Sequence, residues 1–163
     1  MMRTTRLLSG LALGMGLLIA LKPLVAQDQA AKPKSNVLYV SEPHTVAAGK
    51  RSVIELNFKV ADGFHVNSHT PKSDFLIPTV LKAQPAAGVN ASVPEYSTGQ
   101  EFSFSFSPNE KLDVYSGSFT VKLPVVAQAG DHTVDAILHY QACDHAACYP
   151  PKSLPVQVLF TAK

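Results

Sequence analysis

From Asn36 onward, apolar and polar positions alternate with a period of two. Ile54, Leu56, Phe58 and Val60 alternate with Glu55, Asn57 and Lys59, and Phe119, Val121 and Leu123 with Thr120 and Lys122. Val134, Ala136, Leu138 and Tyr140 make another such face, and Val156, Val158 and Phe160 the last. Alternation of this kind puts every second side chain on one face of a strand. Turn formers stand between the runs: Ala48-Gly49-Lys50, Asp62-Gly63, Pro85 to Gly88, Pro108-Asn109, Ser116-Gly117 and Ala129-Gly130-Asp131. No stretch carries the period of an amphipathic helix. Short alternating strands at this spacing predict an all-β, immunoglobulin-like antiparallel sandwich of seven to nine strands. Phe102, Phe104 and Phe106 alternate with serines and read most simply as three core residues of one strand, with an exposed lid as the other reading. Phe75-Leu76-Ile77-Pro78 reads as the start of a strand. There is no internal repeat and no sign of a second domain.

The first residues follow a different pattern. Arg3 and Arg6 precede an apolar run from Leu7 to Leu21, and Leu24-Val25-Ala26 ends in a small residue suited to cleavage. Residues 1–26 therefore read as a secretory signal. The run is short for a membrane span, which takes about 20 residues, and no stable membrane insertion is expected after cleavage. Residues 27–35 read as a flexible leader, and residues 36–163 as the sandwich domain. The expected location is periplasmic or secreted, where disulfides persist. The signal also changes the charge. Removing Arg3, Arg6 and Lys22 from the 14 basic residues leaves 11 against 12 acidic ones, a formal net of −1. With no basic cluster and no glycine-rich phosphate loop, nucleic acid is excluded as a partner.

The chain has two cysteines, and both lie in Tyr140-Gln141-Ala142-Cys143-Asp144-His145-Ala146-Ala147-Cys148-Tyr149, followed by Pro150-Pro151. A ring of about six residues stabilises a fold by only roughly 2 kcal/mol. A pair so close together therefore suggests chemistry more than stapling. The segment falls in the connection between the last two predicted strands, where loops carry function on a rigid base. The prolines restrict the chain just beyond Cys148. Two other readings stay open: a structural clip in a binding module, and a copper- or zinc-binding group built on Cys143, His145 and Cys148 with His139 or His65. His145 would lower a thiol pKa when protonated, and Asp144 would oppose it. His65 and His69 flank Asn67-Ser68 in what reads as a loop, which makes surface histidines of them. Tyr140 and Tyr149 bracket the pair, as packing beneath a loop would have it.

The cysteine segment, with Leu154-Pro155-Val156 beyond it, resembles the active-site region of the N-terminal periplasmic domain of DsbD, the thiol:disulfide interchange protein. The likeness extends to Asp62-Gly63-Phe64, Val114-Tyr115, Leu123-Pro124-Val125 and Ala129-Gly130, and so covers about residues 36–161. It implies an immunoglobulin-like domain that relays reducing equivalents by thiol-disulfide exchange, without a cofactor. It also implies that Cys148 forms the mixed disulfide with a thioredoxin-like partner and that Cys143 resolves it. Departures are visible. The cysteine spacing is one residue shorter than in the best-known members, and His65 and Asn67 stand where those have tyrosines. The family caps its site with an aromatic loop, for which Glu101 to Phe106 is the candidate, with Phe104 or Phe106 as lid. Asp144, His145 and Tyr149 complete the candidate lining. No membrane segments or thioredoxin domain follow, so a separate membrane protein is expected to donate electrons. No Gly-x-Ser-x-Gly elbow supports a hydrolase.

Overall fold

The computed structural model describes residues 35–40 and 42–163. The signal and nearly all of the leader lie outside the described residues. The described residues form thirteen strand segments: β1 (Val37–Val40), β2 (His44–Val46), β3 (Ser52–Val60), β4 (His65–Asn67), β5 (Val80–Ala83), β6 (Val89–Ala91), β7 (Glu95–Tyr96), β8 (Gln100–Phe104), β9 (Ser107–Tyr115), β10 (Ser118–Ala127), β11 (Gly130–Tyr140), β12 (Ala142–Cys143) and β13 (Lys152–Ala162). This exceeds the expected seven to nine because several segments are only two to four residues long. The class is as expected: an all-β, immunoglobulin-like sandwich.

One sheet runs β1-β3-β10-β6, with β7 also on β10, and a second runs β2-β13-β11-β5. The alternation read from the sequence sets their inner faces. Phe119 pairs with Phe58, Val121 with Leu56 and Leu123 with Ile54 across β10 and β3. Val134 pairs with Val158, and Ala136 with Val156, across β11 and β13. These residues are at most 4 % exposed and form one core cluster. Each large side chain so enclosed contributes about 1.5–3 kcal/mol. Phe58 stacks on Phe119, with ring centroids 5.1 Å apart. β2 runs parallel to β13, the other ladders being antiparallel, and Lys163 N donates to Val46 O at 3.0 Å.

A third, smaller sheet, β12-β4-β9-β8, carries the region of interest. The chain enters it from β3 through the Asp62-Gly63 turn, where Gly63 takes a φ of 80° that favours glycine. It enters again from β11, and leaves from β9 through Ser116-Gly117 into β10. These short crossings hold the third sheet at one end of the sandwich.

Two local expectations are corrected. Phe75-Leu76-Ile77-Pro78 does not begin a strand: it lies in a loop, Phe75 is 96 % exposed, and β5 starts only at Val80. The turn after β8 falls at Ser105-Phe106 instead of Pro108-Asn109. Phe102 pairs with Leu112 and Phe104 with Ser107, so residues 108–111 oppose residue 103 alone. The two turn formers sit in that bulged stretch, where a proline costs no ladder bond. Among the described residues, no helix is long and apolar enough to cross a membrane.

Candidate functional site

β11 stays in register with β13 as far as Tyr140 opposite Lys152. Tyr140 is 1 % exposed, and its phenol oxygen accepts from Asn36 N at 3.1 Å and bonds Ser35 Oγ at 2.9 Å. One residue later the chain joins β4, with Ala142 opposite Val66 and Cys143 opposite His65. It then reverses. Cys143 and Cys148 face each other as an antiparallel bridge, and Tyr149 N donates to Ala142 O at 2.8 Å. Asp144 N donates to Ala147 O at 3.0 Å, closing the tip. The cysteines form a disulfide, with Cα atoms 3.9 Å apart. Cys143 is fully buried and Cys148 is exposed.

Asp144 organises the tip. One carboxylate oxygen accepts from Ala146 N at 2.7 Å and Ala147 N at 2.9 Å, and the other from the Tyr149 hydroxyl at 2.5 Å. Such bonds favour the charged form. The tyrosine bond first, then the two amides, hold the carboxyl pKa down to about 2. The same bond is the first cause of the rise in the Tyr149 pKa. Asp144 is thus committed to the turn, while His145 is exposed.

His65 and Asn67 are not loop residues. Both sit in β4, 3 % and 0 % exposed, which corrects the expectation of a surface histidine at His65; His69 is half-buried. Asn67 Nδ2 donates to Ile77 O at 3.0 Å and to Gln141 Oε1 at 3.1 Å. Gln141 Nε2 in turn donates to Tyr149 O at 3.2 Å. Asn67 therefore ties the loop before β5 to the residue just past Cys148. Burial lowers the His65 pKa, helped by His145 and opposed by Asp144.

The phenylalanines are not core residues. Phe102 and Phe104 are half-buried and Phe106 is 69 % exposed. Phe102 lies closest to the site, its ring 4.0 Å from His65 and 6.0 Å from His145. Phe104 stands 5.9 Å from His65 and edge-on to Phe102, while Phe106 stacks on Phe104 at 4.8 Å. Glu101 bonds Lys72 at 3.5 Å and Lys111 at 3.2 Å, linking β8 to its neighbours. These exposed pairs add little stability.

The structure brings together Cys143, Cys148, His65, Asn67, Phe104, Asp144, His145 and Tyr149, and leaves Phe106 at the outer end of the aromatic row. Sequence reasoning missed Phe102 as the nearest covering ring, and Gln141 as the bridge between Asn67 and Tyr149. Gln141 stands inside the cysteine motif, two residues before Cys143, and that position was its signal. Phe64 also belongs here, its ring 6.0 Å from that of Tyr149. Among the described residues, no group of three or more His, Cys, Asp or Glu could hold a metal ion.

The class this defines is an immunoglobulin-like sandwich domain with a disulfide in an end loop and one of the two cysteines exposed. Residues 27–159 match the family described as thiol:disulfide interchange protein DsbD, N-terminal, and the chain belongs to that family. Among solved structures, the reduced DsbD N-terminal domain of Neisseria meningitidis is 22 % identical, with a TM-score of 0.45 over 71 % of this chain and 86 % of that one. The complex between the DsbD and PilB N-terminal domains of the same organism gives 21 %, 0.49, 80 % and 88 %. The N-terminal periplasmic domain of ScsB from Proteus mirabilis gives 11 %, 0.45, 75 % and 44 %. No curated protein matches the chain.

Proposed function

We propose that the protein is an extracytoplasmic domain that relays reducing equivalents to or from thioredoxin-like proteins through Cys143 and Cys148. The observation that carries this reading is the unequal burial of the two bonded cysteines, Cys148 exposed and Cys143 enclosed. Thiol-disulfide exchange needs an accessible sulfur for the incoming partner. A partner can reach Cys148, whereas Cys143 is approached only by the sulfur beside it. That supports Cys148 as the exchanging residue and Cys143 as the resolving one. In the reducing direction, the Cys148 thiolate attacks a partner disulfide, and Cys143 then attacks Cys148 and frees the reduced partner. Phe102 and Phe104, with Phe106 outermost, act as the cap. The signal read at residues 1–26 accords with a location where the disulfide persists.

The test pairs a potential with two variants. The potential of the cysteine pair, measured by alkylation and mass spectrometry across thiol buffers, is expected between about −180 and −270 mV, the range of exchange catalysts. A value below about −300 mV would mark a structural bond. Cys143→Ser is expected to accumulate a mixed disulfide with an oxidised thioredoxin, and Cys148→Ser to form none. Equal trapping by both variants would overturn the roles.

A further inference from the structure

His65 and Cys143 are directly opposite in the β4–β12 ladder. Their side chains therefore leave the same face, with Cβ atoms about 4.5–5.5 Å apart. Both residues are enclosed, at 3 % and 0 % exposure. The imidazole is covered by Phe102 and Phe104, with ring centroids 4.0 and 5.9 Å away. Its Nε2 is buried and makes no hydrogen bond, although buried polar atoms nearly always find a partner. The disulfide sulfur has no proton to offer that nitrogen. The reduced Cys143 thiol does.

We infer that His65 accepts the proton of the Cys143 thiol when Cys143 resolves the mixed disulfide. This rests on the exchange reading above. In the first step the Cys148 thiolate attacks a partner disulfide. The partner's S–S bond breaks, a Cys148–partner bond forms, and the partner's other sulfur leaves as a thiolate. In the second step the Cys143 proton passes to His65 Nε2, and the Cys143 thiolate attacks the Cys148 sulfur. The Cys143–Cys148 bond forms, and the partner's second sulfur leaves with its electron pair. Two electrons have passed from the dithiol to the partner, and the imidazolium gives its proton to a departing thiolate or to water.

The surroundings suit that role. A buried Cys143 cannot shed its proton to solvent easily, and only the thiolate attacks. Burial lowers the His65 pKa, so the ring is neutral and able to accept near neutral pH. The titratable groups that face it are His145, which adds to the fall, and Asp144, which opposes it, both from the cysteine loop. Cys143 faces it from β12, and the Phe102 and Phe104 rings pack on it from β8. In the Nδ1–H tautomer, Nε2 carries the free lone pair.

The experiment mixes the reduced protein with dithiobis-nitrobenzoate and follows the coloured thiolate. The first release reports attack by Cys148 and scales with reagent. The second reports resolution by Cys143 and does not. With His65 as acceptor, the wild-type second phase stays level with pH between the imidazole and thiol ionisations. In His65→Gln and His65→Phe, the ratio of second-phase to first-phase rate falls about 100-fold near neutrality, the lower end for a positioned base. The remaining rate then rises in proportion to hydroxide. A wild-type ratio and level profile in both variants would overturn the inference. So would a wild-type second phase that climbs with hydroxide through neutrality, and this reading needs no variant to fold. If the wild type releases a single coloured thiolate and never forms its disulfide, the exchange reading itself has failed.

Discussion

Asn67 offers the sharpest energetic test of how the site is held. It is fully buried, and its amide nitrogen gives two hydrogen bonds, to Ile77 O and Gln141 Oε1. Its Oδ1 is buried without a partner. Each bond is worth about 1 kcal/mol net. Asn67→Ala therefore loses about 2 kcal/mol, plus up to about 1 kcal/mol for the void. Asn67→Leu loses the same bonds and, like the alanine, the unsatisfied Oδ1, but it fills the void. It should therefore cost less than the alanine. Asn67→Asp is the opposite case. It sets an acceptor against the Ile77 carbonyl and the Gln141 oxygen, and it should cost more than about 3 kcal/mol.

The assay is urea unfolding of the oxidised protein, followed by circular dichroism because the chain has no tryptophan. The predicted order of loss is aspartate, alanine, leucine, with unchanged urea slopes. An aspartate variant no worse than the alanine would refute the argument. It would mean that the Asn67 amide does not donate to these two oxygens.

Asp144→Asn should bring the raised Tyr149 pKa back toward the ordinary phenol value, since the Asp144 bond is its first cause; an unmoved midpoint in an ultraviolet titration would refute this. In the wild type the Asp144 contacts should be fully present above the unfolded aspartate value of about 3.9 and fade as pH falls through about 2, as carboxyl NMR shifts would report. Phe102→Ala should cost about 1–2 kcal/mol and hasten reduction of the disulfide by dithiothreitol, because this ring covers His65. Phe106→Ala, at an exposed turn, should stay within about 0.5 kcal/mol of wild type; equal effects of the two would remove Phe102 as the cap. His65 has a lowered pKa, so below its ordinary 6.5 the unfolded chain binds the extra proton and the folded one does not. Melting temperature should therefore fall as pH drops below about 6.5, and His65→Phe should flatten that slope.

The long strands were legible in the sequence because each has one wet and one dry face. In β3 the burial follows Ile54, Leu56, Phe58 and Val60 position by position. The cysteine loop was legible because its residues are local: Cys143, Asp144, Cys148 and Tyr149 meet through a single reversal of six residues. The run Phe102, Phe104, Phe106 misled for a physical reason. Alternation reports a repeating face and does not say what covers it. Here that face lies over His65 and then passes into an exposed turn, so the same pattern that marks a core marks a cap.

β4 shows why the rest was hidden. His-Val-Asn has the polar-apolar alternation of a half-exposed strand, yet all three residues are buried. Val66 joins the main core, as its position demands. The opposite face is closed by β8 and by the loop before β5, which sequence periodicity cannot foresee because both arrive from distant parts of the chain. Two polar side chains are thereby enclosed, and each must be accounted for by hydrogen bonding or by chemistry. Asn67 spends its amide nitrogen on the scaffold that positions Tyr149. His65 keeps a nitrogen without any bond, opposite the sulfur that becomes a thiol only when the site is reduced. A buried polar atom that stays unsatisfied in one redox state and gains a partner in the other is what a proton acceptor for that sulfur would look like.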